Sequence, residues 1–290
     1  MTMMRTMRRL ALATALTAAG SAQAGDPSAR DWIPAPPGTS VFAAYLFGLN
    51  SHGFYDHGNR VDDGPTVDVQ GMVLRPMYFG EVLGKTVQYE LILPATRTTI
   101  GLSGEPDDRV TGVGDAQLGA AVWFVNNQET KTWFAWEPFI TVPTGRYHSN
   151  HADASSGKNR WTTIQDFAFV QGVGESTFLE AVAEFEFFGD NTNYYGGTLK
   201  KAPAIRLMAL ASTNITESTY VGMRYRYETG GREKVDGVET VSSARNHQLA
   251  FEITHQINDA NQVQLQYIHD LKVENGPRMR GVQMRYVYAF

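Results

Sequence analysis

The segment of residues 143–161 holds the densest group of side chains that could do chemistry. Its sequence, PTGRYHSNHADASSGKNRW, contains two histidines, several hydroxyl groups, Asp153 and two arginines. A hydrolytic site would need a histidine placed to take the proton of a nucleophilic serine. Ser149 follows His148 directly, and adjacent residues of an extended chain point to opposite sides, so His148 cannot readily activate it. The spacing therefore disfavours an enzyme.

Metal binding has no better support in the sequence. His148, His151 and Asp153 could touch one ion, and His52 with His57 forms another loose pair. A closed metal site needs more ligands, at characteristic spacings, and neither group has them. Both groups are typical of solvated loops, and we expect no metal and no cofactor.

The first 24 residues predict an export signal rather than part of the fold. Arg5, Arg8 and Arg9 precede a short apolar run at 10–19. Ala22-Gln23-Ala24 then supplies the small residues of a cleavage site, so the mature chain is expected to begin at Gly25. The run is shorter than the roughly 20 apolar residues that a helix needs to span a bilayer.

Charge and cysteine content exclude two further classes of protein. The chain has 25 Lys and Arg against 30 Asp and Glu, and removal of the three signal arginines leaves 22 basic residues and a net charge of −8. This balance predicts no basic surface for nucleic acid. The sequence contains no cysteine, so neither disulfides nor thiolate chemistry can operate.

Alternation of polar and apolar residues predicts strands over most of the mature chain. In the last segment Val282, Met284 and Tyr286 alternate with Gln283 and Arg285. Similar alternation recurs near 87–93, 179–187, 221–228, 248–254 and 262–267. A strand sorts the two sets onto opposite faces, whereas a helix would scatter each set around its circumference.

The pattern predicts twelve strands joined by alternately short and long connections. We expect the strands near residues 39–49, 66–79, 86–95, 114–126, 131–142, 163–172, 176–188, 202–211, 216–228, 245–256, 261–271 and 278–290. The links after even-numbered strands are short and most links after odd-numbered strands are long, as in bacterial outer-membrane barrels. An even strand count places both chain ends at the rim with the short turns, which is the periplasmic side.

Composition also favours a transmembrane barrel over a soluble β-sandwich. A mean hydropathy of −0.29 suits a barrel, because lipid-facing and lumen-facing residues alternate and cancel. The 13 Tyr and 15 Phe suit aromatic girdles at the two membrane interfaces. A sandwich would hide its aromatic faces in one core. We therefore predict an all-β, antiparallel transmembrane barrel of about 12 strands over residues 39–290.

The same alternation predicts which charges face the lumen. Glu184 and Glu186 face inward on one predicted strand, and Arg206, Arg224 and Arg226 face inward on the next two. Such a wall can be structural, because interior charges must be paired, or it can select solutes along a path. In either case we expect acids and bases to pair across neighbouring strands. The Pro-rich segment 25–38 could hang free below the first strand or enter the barrel.

A barrel of this size leaves a narrow lumen that one loop can close. The segment 143–161 is the third long loop, and in porin-like barrels such a loop often folds inward. We expect Arg146, Tyr147, Asn159, Arg160 and Trp161 at the constriction of the substrate path. The alternative is a solvated surface loop with Pro-Thr-Gly turn chemistry.

Several short motifs, taken together, resemble one family. They are DWIPAPPGT at 31–39, GVGD at 112–115, PTGRY at 143–147, NRW at 159–161 and NTNY at 191–194. In this order they resemble the outer-membrane transporters linked to phenol and meta-pathway degradation, over nearly the whole mature chain. The resemblance implies import of small hydrophobic or aromatic compounds. The chain end, with Tyr286, Tyr288 and Phe290, resembles the signal read by the outer-membrane assembly machinery.

One function and two alternatives follow. We expect an outer-membrane channel or facilitator for small hydrophobic or aromatic compounds in a Gram-negative bacterium. Its partners would be outer-membrane lipid, its solutes and the assembly machinery, and not nucleic acid. One alternative is an enzyme resembling the outer-membrane phospholipases, which are barrels with a Ser-His-Asn site. Their serine lies two residues after the histidine and precedes Asn-Gly, and residues 148–150 depart from that spacing. The other alternative is a general or structural porin-like barrel.

Overall fold

The structure is a computed structural model that describes residues 26–290, and these residues form a closed antiparallel β-barrel. The strands are β1 (Ser40–Asp56), β2 (Asn59–Arg60), β3 (Thr66–Val82), β4 (Lys85–Gly101), β5 (Asp108–Val113), β6 (Ala116–Asn127), β7 (Thr132–Val142), β8 (Thr162–Val173), β9 (Thr177–Phe188), β10 (Asn191–Tyr194), β11 (Gly197–Lys201), β12 (Ala204–Asn214), β13 (Thr219–Gly230), β14 (Glu233–Val235), β15 (Val238–Val241), β16 (Ala244–Asn258), β17 (Asn261–Lys272) and β18 (Gly276–Ala289). The short strands β2, β5, β10, β11, β14 and β15 lie in loops, and the other twelve form the wall. Strand β18 pairs with β1 and closes the sheet.

The orientation of side chains identifies the medium around the barrel. Leu46, Phe251 and Met284 face outward and keep 60%, 50% and 59% of their surface exposed. Gln248 and Gln266 face inward and are buried. A water-soluble fold would reverse this order, with its apolar residues in the core. The apolar exterior suits lipid, and the predicted fold class, an antiparallel transmembrane barrel of twelve strands, is confirmed.

Connections differ between the two rims, which we call the turn end and the loop end. At the turn end the wall strands are joined by short turns at 83–84, 128–131, 174–176, 215–218 and 259–260. Leu83 and Gly84 both have positive φ, 51° and 72°, which is the geometry of the tight I′ turn that joins twisted strands. At the loop end most connections are longer and fold back over the lumen.

Two features of the loop end differ from the sequence prediction. Strands β1 and β4 continue to Asp56 and Gly101, several residues beyond the predicted ends, because neighbouring strands pair with the extensions. These neighbours are β18 and β2 along β1, and β3 and β5 along β4. The loops 189–203 and 231–243 also pair with each other and form a second sheet in the order β10-β11-β14-β15. These strands have three to five residues each, which is too short for alternation to reveal them.

Within residues 26–290 no helix has the length and apolar character needed to cross a bilayer. The described helical element is one turn of 3-10 helix, Ser149–His151.

Candidate functional site

The N-terminal segment, residues 26–39, lies inside the barrel at its turn end. Backbone amides of Ala29 and Arg30 donate to the wall carboxylates of Glu252 (3.0 Å) and Glu180 (2.6 Å). The indole of Trp123 donates to the carbonyl oxygen of Trp32 at 2.9 Å. Because wall side chains satisfy its backbone, the segment can fill the lumen without leaving buried polar groups unpaired. The structure thus selects the inserted position for the part of segment 25–38 that it describes.

Ion pairs anchor this segment to the wall. The Asp26 carboxylate lies 2.9 Å from Arg224 Nη2 and 2.5 Å from Arg226 Nη1. Asp31 lies 2.7 Å from Arg285 Nη1. Arg224 and Arg226 therefore both pair with a carboxylate of the inserted segment. The segment brings its own carboxylates to mid-lumen.

Cross-strand pairing does occur one strand earlier. Arg206 on β12 contacts Glu184 through Nη1 and Glu186 through Nη2, the latter at 2.9 Å. Glu228 on β13 lies 3.9 Å from Arg206 Nε. All four side chains are nearly buried. One cation facing three carboxylates gives this side of the lumen a negative balance.

A cavity of about 100 Å³ remains at mid-lumen, between the N-terminal segment and the loop 143–161. One side of it is apolar and is formed by Phe47, Leu49, Val69, Ile92, Phe139 and Ile164. The rest of the lining is mainly polar and includes Asp166, Glu184, Glu186, Arg206, Lys158 and Arg160. The lumen is therefore amphipathic at this level, which alternation alone would not predict for an interior face.

The loop 143–161 is fixed above this cavity by one carboxylate. Asp115, at the start of β6, accepts hydrogen bonds from the amides of Gly145 (2.8 Å) and Lys158 (2.7 Å), so it joins the two ends of the loop. A Cβ at Gly157 would lie 2.7 Å from the Gly145 carbonyl carbon, so the two backbone segments can meet only as glycines. Asp115 thus holds the loop folded inward, and not extended into solvent.

The motifs that carry the family resemblance meet at this loop. The GVGD motif supplies Asp115 to the amide of Gly145 in the PTGRY motif. Asn159 of the NRW motif donates to the side-chain oxygen of Asn191 in the NTNY motif at 2.9 Å. The Asn191 amide in turn donates to the Tyr147 hydroxyl at 2.9 Å. Four motifs that are distant in sequence therefore build one structural unit, which positions the loop over the lumen.

A buried carboxyl joins this loop to the small second sheet. Asp153 accepts hydrogen bonds from the hydroxyls of Tyr194 (2.7 Å) and Tyr195 (3.1 Å). Burial raises the pKa of Asp153 to about 7, although the two hydroxyl donors and Lys158 oppose the shift. Burial likewise lowers the pKa of Lys158 to about 8. The contact between loop and sheet is therefore sensitive to pH near neutrality.

The structure separates the five residues expected at the constriction. Arg160 is buried and lines the cavity. Tyr147 and Asn159 hold the loop from the side, through Asn191. Arg146 is exposed and donates to the Thr111 carbonyl oxygen, away from the lumen. Trp161 is 52% exposed, because it directly follows Arg160 and points to the opposite side.

Sequence reasoning missed several groups at the site. Asp115 lies in the GVGD motif and Lys158 in the loop 143–161, but the sequence assigns no role to either. Asp26 and Asp31 precede the first strand, where no alternation orients them. Glu90, Glu137 and Asp166 are buried on neighbouring strands of the lumen wall. Their inward position follows from alternation, for example Glu137 between the outward-facing Trp136 and Pro138, so this signal was available.

The barrel wall is irregular beside the apolar side of the cavity. Gly119 of β6 pairs with Phe139 of β7, and Val122 pairs with Trp136, but the ladder is interrupted between these two pairs. Pro138 lies in this interval and cannot donate a ladder hydrogen bond. A groove on the outer face runs over Pro138 and Pro76. Phe139 lines both the cavity and this lipid-facing groove.

Neither metal binding nor serine-dependent hydrolysis has an assembled site in residues 26–290. No group of three His, Asp or Glu side chains there is placed to hold a metal. His151 contacts Asp108 at 2.8 Å, and His148 Nε2 accepts from Arg146 Nε at 3.0 Å, so the two loop histidines turn away from Asp153. Ser155 Oγ contacts the backbone of His148 and not its ring.

Comparison with known proteins places the chain among outer-membrane barrels. The profile of a family described as "Putative MetA-pathway of phenol degradation" matches residues 51–286. The chain is similar to an outer-membrane channel from Pseudomonas putida F1, with a TM-score of 0.86 and 21% identity over 91% of this chain and 100% of that one. It is also similar to the transport unit of the Escherichia coli autotransporter AIDA-I (TM-score 0.57, 13% identity, 97% and 98% covered) and to the β domain of a Bordetella autotransporter (0.55, 10%, 88% and 100%). No curated protein matches the sequence. At these identities the structural likeness establishes the fold.

Proposed function

The chain belongs to this phenol-degradation family, which confirms the resemblance carried by its motifs, and we propose that it is an outer-membrane facilitator for small hydrophobic or aromatic compounds. Hydrophobic solutes cross a lipopolysaccharide layer poorly, so a protein path through that layer is useful to a Gram-negative cell. The proposal includes export by a cleaved signal and insertion by the outer-membrane assembly machinery. The signal at 1–24 lies outside the described residues.

The observation that carries the proposal is the closed, amphipathic cavity at mid-lumen. A general porin leaves a polar, water-filled channel, whereas this lumen is blocked by a segment at one end and a loop at the other. The apolar side, with Phe47, Ile92 and Phe139, suits a ring or short alkyl group. An apolar cavity of roughly 150 Å³ holds benzene, so the present cavity of about 100 Å³ represents a closed state that must widen to admit an aromatic solute.

Two exits from the cavity are consistent with the geometry. A solute can leave to the periplasm if the N-terminal segment moves. It can also leave sideways into lipid where the wall ladder is interrupted at Pro138 and where Phe139 lines both the cavity and the outer groove. Entry from the loop end requires displacement of Lys158 and Arg160, which belong to the loop and line the cavity. Glu184, Glu186, Arg206, Arg224 and Arg226 form the polar wall of this path.

The alternatives receive less support from the site. A phospholipase-like enzyme needs a serine within reach of a histidine ring. The ring of His148 instead accepts a hydrogen bond from Arg146, and the nearby Ser155 hydroxyl is bound to backbone atoms. We therefore propose that the chain is not an enzyme. A purely structural barrel would not need a cavity with separate apolar and charged sides.

The chain end fits the proposed membrane assembly. Tyr286, Tyr288 and Phe290 are exposed on the outer face at the turn end, with 42%, 41% and 69% of their surface accessible. The backbone of Phe290 exchanges two hydrogen bonds of 2.9 Å with Ser40, so the last residue closes the barrel. Deletion of Phe290 is expected to lower the amount of folded protein in the outer membrane without altering the solute preference of the remainder.

Uptake by cells tests the function. Cells that express the chain are expected to take up small monoaromatic compounds faster than sugars of similar size, relative to cells that lack it. Deletion of residues 147–158 should reduce this difference, because the loop forms one boundary of the cavity. Equal entry of both solutes would indicate a general pore, and entry of neither would indicate a structural barrel; each result would overturn the proposal. Folding of every variant is checked by heat-modifiable migration in gels.

A further inference from the structure

Arg160 is a buried cation without an ion-pair partner among the described residues. The residue is 5% exposed, and its Nη1 atom is buried without a hydrogen-bond partner. No carboxylate of the described residues forms an ion pair with it; its close neighbour is the Phe188 ring, whose centroid lies 4.9 Å from Arg160 Cζ. Buried guanidinium groups are normally paired, because an uncompensated buried charge is costly. Arg206 in the same lumen shows the usual arrangement, with two carboxylates in contact.

Five acids line the cavity, and four of them, Asp26, Asp115, Glu184 and Glu186, are already committed to other groups. The fifth, Asp166, has a buried Oδ1 without a hydrogen-bond partner and forms no ion pair with Arg160. Both oxygens of Asp115 accept backbone amide hydrogens. Glu184 and Glu186 contact Arg206, and Asp26 contacts Arg224 and Arg226. Lys158, the other base on this side, donates to the Ser155 carbonyl oxygen at 3.0 Å. The unpaired guanidinium at the cavity is therefore free to take an acceptor from a solute.

Part of the wall of the cavity that holds this cation is apolar. Phe139, Ile92 and Phe47 line the same cavity as Arg160 and offer no hydrogen-bonding side chain. A solute that satisfies both sides has a flat apolar body and one anionic end. A carboxylate suits the guanidinium better than a neutral oxygen does, because charge-assisted and bidentate hydrogen bonds are the stronger ones.

We infer that the cavity is a binding site for small aromatic carboxylates, with the carboxylate on Arg160 and the ring against Phe139 and Ile92. This inference rests on the proposed function and narrows its substrate class to weak acids that are ionised at neutral pH. Binding of such an anion would also supply the counter-charge that the described residues do not give to Arg160.

Titration calorimetry with the refolded barrel in detergent tests the site. Benzoate, benzamide and acetate are the probes, and each is also titrated into empty micelles. Benzamide keeps the ring and the planar shape without the charge, and acetate keeps the charge without the ring. Benzoate is expected to bind at least about tenfold more tightly than either, because a hydrogen bond to a charged group is worth at least that factor. Equal binding of benzoate and benzamide would overturn the inference.

Variants identify the residue. Arg160→Met should abolish the preference for benzoate over benzamide, and Arg160→Lys should keep part of it. Arg97→Met is the control, since Arg97 is exposed on β4 and does not line the cavity. An unchanged preference in Arg160→Met would contradict the assignment. The solute series on the unaltered protein remains decisive if that variant fails to fold.

Uptake measurements separate this inference from the proposed function. If cells take up neutral aromatic compounds but the barrel shows no preference for benzoate, the proposed facilitator function stands and the carboxylate site is refuted. A barrel that binds benzoate through Arg160 but supports no aromatic uptake would retain the site and refute the facilitator.

Discussion

Neutralising Asp26 should release the N-terminal segment from the lumen. The Asp26 side chain is 4% exposed and lies within 2.9 Å of Arg224 and 2.5 Å of Arg226, whose side chains are 2% and 6% exposed. Asp26→Asn removes the charge with little change of shape, and leaves two buried cations facing an amide. Removing one partner of a buried ion pair costs about 3–5 kcal/mol.

The lower end of that range applies here. Arg224 keeps a hydrogen bond to the Pro27 carbonyl oxygen at 2.8 Å, as long as the segment stays docked, and another to Gln248 at 3.2 Å. A loss of about 3 kcal/mol shifts the equilibrium between docked and released segment by roughly a hundredfold, since each 1.4 kcal/mol is a factor of ten. The contact of Asp31 with Arg285 remains in the variant. The segment is therefore released more often than in the parent protein, but it still docks.

Cysteine labelling measures this shift. The chain has no cysteine, so Ser28→Cys introduces a single thiol at a position that is 1% exposed when the segment is docked. The labelling rate with a polar maleimide then reports the released fraction. Asp26→Asn should raise this rate by roughly a hundredfold, and the exposed Asp62→Asn should leave it unchanged. A rate within twofold of the parent in a correctly folded Asp26→Asn barrel would refute the idea that this ion-pair cluster holds the segment.

Three further predictions follow from the same structure. A Cβ built at Gly222 lies 3.2 Å from Ala29 Cβ, near the distance that a disulfide needs. The double variant Ala29→Cys and Gly222→Cys should therefore form a disulfide on oxidation, which fixes the segment in the lumen and slows solute exit to the periplasm. Reduction of the disulfide should restore the rate of exit. Burial raises the pKa of Asp153 to about 7, so this carboxyl stays protonated in the folded loop between about pH 4 and pH 7. The packing of the loop therefore weakens as the pH rises through that window. Hydrogen exchange of residues 147–158, corrected for intrinsic rates, should be faster at pH 8 than at pH 5.5, and Asp153→Asn should remove the difference. Phe139→Ala shortens a side chain that lines both the cavity and the outer groove, so aromatic uptake should rise if solutes leave sideways; an unchanged rate would favour the periplasmic exit.

Alternation was sufficient to predict the barrel and the facing of its wall charges, because every second residue of a strand must meet the same medium. Glu184, Glu186 and Arg206 needed no more than this rule. The rule also explains the error at Trp161: only one of two adjacent residues can face the lumen, and Arg160 does. No local pattern shows that the loop bends inward through Asp115, because the contacts are made to residues about 30 to 43 positions away.

The insertion of the N-terminal segment into the lumen could not be predicted from the sequence, for a different reason. Residues 26–39 have no periodicity, and the partners of Asp26 are some 200 positions away on β13. The apolar side of the cavity was also hidden, because Phe47, Ile92 and Phe139 occupy inward positions that a polar lumen would fill with polar residues. Such a departure from alternation could have been noticed as a sign of a site for an apolar solute.

The measurement that tests the central claim most directly is crystallography of the barrel soaked with a brominated monoaromatic compound. The account predicts an anomalous bromine peak inside the mid-lumen cavity, between Phe139 and Arg160, and loss of that peak when Ile164→Trp fills the space. Bromine found only on the lipid-facing surface, with an empty lumen at full soaking concentration, would contradict the claim that aromatic solutes pass through the barrel.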